Sequence, residues 1–523
     1  MRFRYMRYWL GAAALLASAA VPAHATWRQA NTDHFVIYSE DSAKTLEEFA
    51  TRLERFDQAM RYVRGLPDPA VSPSNRLTVF ILPSLPALKK LYGDRNASVG
   101  GFYNGRASGS FAFTPRTIGS PDDAISEEQI VLLHEYGHHF MYQNYPGAFP
   151  AWLVEGFAEF HSTAKFERDG GLGLGLPANH RAYALLQAAP MKIEKVLTTS
   201  VFELKDADRD SLYARGWLLT HYLTLDPARK GQLSTYVREI NSGAPSLDAA
   251  RRAFGDLAVL DKELDRYVRQ PRLSYLKLPP ERISIGKVTV SEVTPGADAV
   301  MELRMQVKRG VPPAEQPALA QRVREAAARF PADAMAQTTL AEAEYDAENY
   351  REAEAAADRA LAADAQATEA LLFKGRARMK LALASRSTDP AAWKEVRKWF
   401  TAANRIEPDD PEPLILFYES FAAAGQQPTA NASLGLERAL ELAPQDARLR
   451  MMAAHQFLRD GRSADARAAL APVAFNPHGG GAADEARRIV ATLDAGGVKA
   501  ALEAWRNPGV PSAESPVFAV PAP

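Results

Sequence analysis

The chain holds 523 residues, of which 47% are apolar and 24% charged, and its formal net charge is −1. That length accommodates two or three domains with full cores, and so even a charge balance leaves no electrostatic footprint for nucleic acid or an anionic membrane surface. Cysteine is absent, which excludes disulfides, thiolate zinc sites, iron–sulfur ligation and cysteine nucleophiles, so any metal must be held by His, Asp or Glu.

The N-terminus has the pattern of an export signal. Arg2, Arg4 and Arg7 precede a short apolar run from Tyr8 to Val21, and Ala23-His24-Ala25 is a small-x-small cleavage site. The reading is a signal peptide over 1–25 and an exported mature chain with no membrane span, periplasmic first and secreted as the alternative. A retained N-terminal anchor is the competing interpretation of the same run.

Residues 32–39 read as a strand, 43–64 as an amphipathic helix and 76–82 as a second, buried strand. The Gly-rich stretch 99–113, with its Asn104-Gly105 turn signal, reads as a hairpin. Its Phe111-Ala112-Phe113 segment is equally an ordinary core strand or an edge on which an extended peptide pairs. Strands then give way to helices, an α+β order. Ser126 and Gln129 form a candidate capping box with Ile125 and Ile130 as its staple, which predicts a helix from about Glu127 to Gln143. Further helices are predicted from Pro150 and over about 211–224.

The first of these helices carries His134-Glu135-Tyr136-Gly137-His138. A repeat of 3.6 residues places His134 and His138 one turn apart on one face, where two imidazoles can grip one metal. Glu135 is turned away from them by one residue, within reach of a metal-activated water but not itself a ligand. A catalytic zinc takes a third protein ligand and keeps one position open. Glu155 and Glu159, in Trp152-Leu153-Val154-Glu155-Gly156-Phe157-Ala158-Glu159-Phe160, are both candidates, again one turn apart. Gly137 inside a helix points to close packing near the metal. His139 and His161 point elsewhere by helical angle and read as structural.

These two motifs resemble those of the gluzincin metallopeptidases, which include thermolysin and the large zinc aminopeptidases. The nearest likeness is to bacterial gluzincin-like proteins fused to tetratricopeptide repeats. The resemblance spans roughly residues 30–225 and is specific at the two zinc motifs. It implies a thermolysin-like fold, a single Zn²⁺ held by His134, His138 and Glu155, and Glu159 orienting His134 from behind. It also implies Glu135 as general base and Tyr213 as the donor to the oxyanion, with His221 as the second choice. The spacer between His138 and Glu155 is shorter than in either family, and no Gly-x-Met-Glu-Asn string is present to hold a substrate amine. An endopeptidase therefore fits better than an aminopeptidase.

Residues 282–307 alternate in strand fashion and read as part of a small β-rich extension or linker over 276–310, after a peptidase domain at 26–275. From 311 to 478 the composition shifts to Ala, Glu, Arg and Leu. Leu340-Ala341, Tyr345, Ala353, Ala357 and Ala360-Leu361 fall at tetratricopeptide-like offsets, and Pro408, Pro444 and Pro477 follow helical segments. Three to four repeats are expected, with an insertion near 385–392, then C-terminal helices at 479–506 and a disordered Pro-rich tail at 507–523. The all-α arm is expected to bind a protein partner or substrate. Competing functions are a non-catalytic envelope scaffold with a vestigial metal site and a metal-dependent hydrolase of non-peptide amides.

Overall fold

The computed structural model describes residues 26–506 and 518–520, apart from 70, 97–98, 117–124, 200, 202–203 and 477–479. The export signal, Pro477 and most of the C-terminal tail lie outside the described residues. Among the described residues, no helix is long and apolar enough to cross a membrane.

The N-terminal half is built on a mixed sheet of β1 (Arg28–Asn31), β2 (Phe35–Ser39), β3 (Leu77–Leu82), β4 (Gly101–Asn104) and β5 (Phe111–Pro115). Between them run α1 (Ala43–Arg64) and α2 (Leu85–Tyr92). Then come α3 (Glu127–Asn144), α4 (Ala151–Ser162), the short strands β6 (Lys165–Phe166) and β7 (Leu172–Leu174), α5 (Ala182–Leu186), α6 (Ile193–Thr198) and α7 (Asp206–Leu225). The half is completed by α8 (Gln232–Asn241), α9 (Ser246–Phe254), α10 (Leu257–Tyr267), β8 (Leu276–Leu278) and β9 (Thr289–Glu292). With β10 (Phe518–Val520), the large sheet has the order β10-β4-β5-β3-β2-β1-β9, and β6-β7-β8 form a small second sheet.

β2, β3 and β5 run parallel, while β4 pairs antiparallel with β5 in register Phe102↔Phe113. The expected hairpin is present, closed by the six residues 105–110. β5 lies between β3 and β4, so its backbone groups are already paired and Phe111–Phe113 offers no edge to a peptide. The outer neighbour of β4 is β10, so part of the tail expected to be disordered forms a strand.

One face of the sheet, with Ile37, Val79, Ile81 and Ala112, packs on α1 and on the helices that carry the site. The other face, with Tyr38, Phe80, Phe102 and Phe113, is covered by Leu88 of α2 and by Met301 and Met305. Those methionines belong to α11 (Pro295–Arg309), which corrects the β-rich extension read over 276–310. Thr294 caps this helix and Pro295 opens it, a start signal that outweighs the apparent alternation of Val300 to Val307. The two strands that do occur there, β8 and β9, are not a separate unit: β8 pairs with β7 and β9 with β1.

The arm consists of α12 (Gln316–Ala327), α13 (Ala334–Asp346), α14 (Tyr350–Ala363), α15 (Thr368–Ala384), α16 (Pro390–Ile406), α17 (Pro411–Ala423), α18 (Ala430–Leu442), α19 (Ala447–Arg459), α20 (Ser463–Ala474) and α21 (Gly481–Arg506). Successive helices pack on one another, and the repeat positions Leu340, Ala341, Ala353, Ala357 and Ala360 are buried. The longest unit runs from Thr368 and contains the turn at Ser385–Asp389, within the expected insertion. The molecule is thus mostly helical, a helical-repeat solenoid following a sheet-based half.

The arm does not project freely. Its α16–α17 turn accepts hydrogen bonds from Ser74 N to Glu407 Oε1 (2.7 Å) and from Asn75 Nδ2 to Asp409 O (2.7 Å). Its α18–α19 turn meets the β4–β5 connection, where Ala107 N donates to Asp446 Oδ2 at 2.8 Å.

Candidate metal centre

α3 starts where the sequence places it: Ser126 Oγ accepts from Gln129 N at 3.2 Å. The capping box is only half formed, because the Gln129 side chain donates to Ala164 O, tying α3 to the end of α4. Pro150 is the residue before α4 and sets its entry.

Two glycine contacts then draw three helices together. A Cβ on Gly137 would lie 3.0 Å from Ala158 Cα, so α3 and α4 touch backbone to backbone. A Cβ on Gly156 would lie 2.3 Å from Gly216 O, and one on Gly216 would lie 2.8 Å from Trp152 O, so α4 and α7 are closer still. These contacts fix the distance between the motif helices.

Across that gap three ligand atoms converge. His134 Nε2 and His138 Nε2 are 3.0 Å apart, and Glu155 Oε2 lies 3.4 Å from the first and 3.7 Å from the second. Zinc bonds of about 2.0–2.1 Å at tetrahedral angles separate adjacent ligand atoms by about 3.3–3.4 Å, so the triangle has the size a single ion requires. Two imidazole nitrogens and one carboxylate oxygen are also a donor set suited to zinc. The side chains are closed from solvent: His134 and His138 are 1% exposed, Glu155 0% and Glu135 2%. Burial, the strongest influence on His134, disfavours its charged form. Its hydrogen bonds to Glu155 and Glu159 and their charges outweigh this, and its pKa is pushed up to about 10.

Glu159 sits behind His134, with Oε1 3.2 Å from Nδ1. Sequence reasoning missed what holds Glu159: Arg181 Nη2 donates to its Oε1 at 2.7 Å and His180 Nε2 lies 2.8 Å from its Oε2. Burial would raise this carboxyl, but Arg181 and the two histidines hold it well below the usual range. Arg181 in turn pairs with Asp210 on α7 at 2.7 Å. Glu159→Gln keeps the shape of the side chain but removes its charge, and is expected to weaken zinc binding about 10–100-fold in a competitive chelator titration. Unchanged affinity would place Glu159 outside the site's support.

Tyr213, on α7, is buried with its ring centroid 6.0 Å from that of His134 and Arg181 over its face. Burial and then the charges of Glu155 and Glu159 raise its phenol well above the usual range, so it keeps an O–H to donate. His221, the second choice for that role, is two turns further along α7. It faces Gly175 O (3.1 Å) and the Tyr267 hydroxyl (3.0 Å), and burial pushes its pKa down to about 4. It is a packed core histidine. His139 faces Tyr103 and His161 the Phe157 carbonyl, as the helical angle predicts.

A second trio, His34, Asp57 and Asp68, also brings ligand atoms together. There Arg61 Nε lies 2.6 Å from Asp57 and Glu54 Oε1 lies 2.6 Å from His34 Nδ1, so a guanidinium already stands in the position of a cation. Near the first trio, Tyr142 has its ring 6.5 Å from His138 and lines a small cavity of about 20 Å³. The cavity is roofed by Pro444, Gln445 and Arg450 of the arm. The arm's α18–α19 turn therefore lies next to Tyr142, whose ring stacks toward His138.

Neither a protein-family model nor a curated protein matches the chain. Solved structures do. One is TTC0263, a thermophilic TPR protein in Thermus thermophilus, with 18% identity and a TM-score of 0.29, covering 35% of this chain and 92% of that one. Another is a MamA double mutant, with 16% identity and a TM-score of 0.25, covering 33% of this chain and 90% of that one.

Proposed function

We propose that this chain is an exported zinc-dependent peptidase of the gluzincin type that cleaves within polypeptides, with a repeat arm that binds a protein partner or substrate. The observation that carries this reading is the convergence of His134, His138 and Glu155 on one point, with Glu159 behind His134 and Glu135 next to His134 on the same helix. Export rests on the N-terminal pattern of Arg2, Arg4, Arg7 and Ala23-His24-Ala25.

Zinc held by the three ligands supplies Lewis acidity to the scissile carbonyl and to water. The rest of the chemistry falls to the chain. Glu135 takes the proton of the attacking water and delivers it to the leaving amine. Tyr213 donates its hydroxyl hydrogen to the oxyanion as it forms. Glu159 accepts the Nδ1 proton of His134 and so keeps the Nε2 lone pair turned inward. Tyr213→Phe is expected to lower kcat about 10²–10³-fold with KM nearly unchanged. Equal activity in the variant would assign Tyr213 to packing alone.

The second reading is an envelope scaffold whose repeats do the binding and whose metal site is vestigial. Stacked helix pairs offer a surface suited to peptides. The observation that favours this reading is that the metal ligands are closed from solvent. Unfolded casein incubated with the mature chain separates the two. The peptidase reading predicts fragmentation that a chelator stops and added zinc restores. A zinc-loaded chain that leaves casein intact would overturn it in favour of the scaffold.

A further inference from the structure

A second cavity, of about 680 Å³, opens between the ends of α1, α3 and α7, one side of α4 and the length of α8. None of His134, Glu135, His138 or Glu155 lines it. Its walls are apolar, with Met141, Phe149, Leu153, Phe157, Leu223 and Val237. Volume and lining match a site for a small amphipathic molecule.

Its two charged side chains, Arg64 and Arg238, are both cationic. Arg64, the last residue of α1, lies over the Phe157 ring at 5.0 Å, and its Nη2 is 3.3 Å from His161 Nε2. His161 donates through Nδ1 to the Phe157 carbonyl, so Nε2 accepts and the ring is neutral. Among the described residues Arg64 meets no carboxylate, and its buried Nε has no hydrogen-bond partner. Burial depresses its pKa, opposed only by Tyr145. The buried Thr224 hydroxyl is likewise without a partner. Arg238 stands at the rim, and the first turn of α8, which no side chain caps, contributes Gly231, Leu233 and Ser234. Among the described residues, no Asp or Glu lines the cavity. Arg64 is half-buried; a guanidinium partly withdrawn from water without a counter-charge is costly, and a bound carboxylate would relieve that cost with a charge-assisted, two-pronged contact.

We infer that this cavity binds a single-chain fatty carboxylate, its head group on Arg64 and its alkyl chain along Leu153, Leu223 and Val237. Binding does not depend on the metal cluster. The test is calorimetric titration of the mature chain, in chelator, with laurate below its micelle concentration. One saturable site is expected, methyl laurate should bind at least about tenfold more weakly, and each methylene removed should cost roughly fourfold. Arg64→Met should weaken laurate to the level of the ester. Should that variant misfold, Val237→Trp fills the cavity from a half-exposed position and should abolish binding. Absence of saturable binding, equal affinity for acid and ester, or laurate binding unaffected by Val237→Trp would each overturn the inference. So would tighter binding of an apolar pentapeptide through its free C-terminus, which would make the cavity a site for chain ends.

Discussion

Glu135→Gln is expected to lower peptide hydrolysis about 10²–10⁴-fold while the chain keeps its zinc. The two halves of that result have separate causes. Glu135 is one residue from His134 on α3 and is not among the three atoms that converge, so an amide in its place leaves the ligand triangle intact. The amide cannot accept the proton of the attacking water, so the step that needs a base slows. Replacement keeps the volume of a side chain that is 2% exposed, which limits any loss from packing. Casein cleavage and metal content are measured on the same preparation. Full activity in the variant would remove Glu135 from the mechanism, and loss of metal would make it part of the binding set.

Gly156→Ala is expected to destabilise the N-terminal half by about 3 kcal/mol, the upper end for overpacking, and to lower zinc affinity with it. A single methyl is enough because it has no room: its position lies 2.3 Å from Gly216 O and 2.5 Å from Thr220 Oγ1. The obstacle is backbone, which no rotamer change clears, so α4 must move away from α7. Glu155 precedes Gly156 on α4, and the shift carries its carboxylate relative to the imidazoles on α3. Trp152 and Trp217 are both fully buried at this crossing, and their fluorescence in a urea titration reports it directly. Gly137→Ala should cost less, since its methyl would meet Ala158 Cα at 3.0 Å, where neighbours need to give by only a few tenths of an ångström. Similar midpoints for wild type and Gly156→Ala would contradict the account of how the helices are spaced.

The convergence of these side chains was legible in the sequence because its determinants are local. The helical period fixes His134 against His138 and Glu155 against Glu159, and only a short turn separates α3 from α4. The start of α3 was legible for the same reason, through Ser126. What holds the site from a distance was not. Arg181 and His180 reach Glu159 from beyond two short strands, and no periodicity links them to it. The seat of the arm rests on Asp446 and Gln445, more than three hundred residues from their partners Ala107 and Ser110. Residues 300–307 read as a strand because Met301, Leu303, Met305 and Val307 alternate, while Val300, Leu303 and Val307 recur equally well at helical spacing. The arbiter was in the sequence, in Thr294 followed by Pro295, and the structure uses both. Phe111–Phe113 looks like an edge or a core strand with equal ease because edge position is decided by strand order, a property of the whole sheet.

Metal content of the purified mature chain bears most directly on the central claim, compared with His138→Ala and Glu155→Ala by mass spectrometry of the bound element. One zinc per chain in the wild type, and little or none in either variant, is the predicted result. Zinc absent from the wild type after growth and purification with zinc supplied, or retained at full stoichiometry when either ligand is removed, would contradict it.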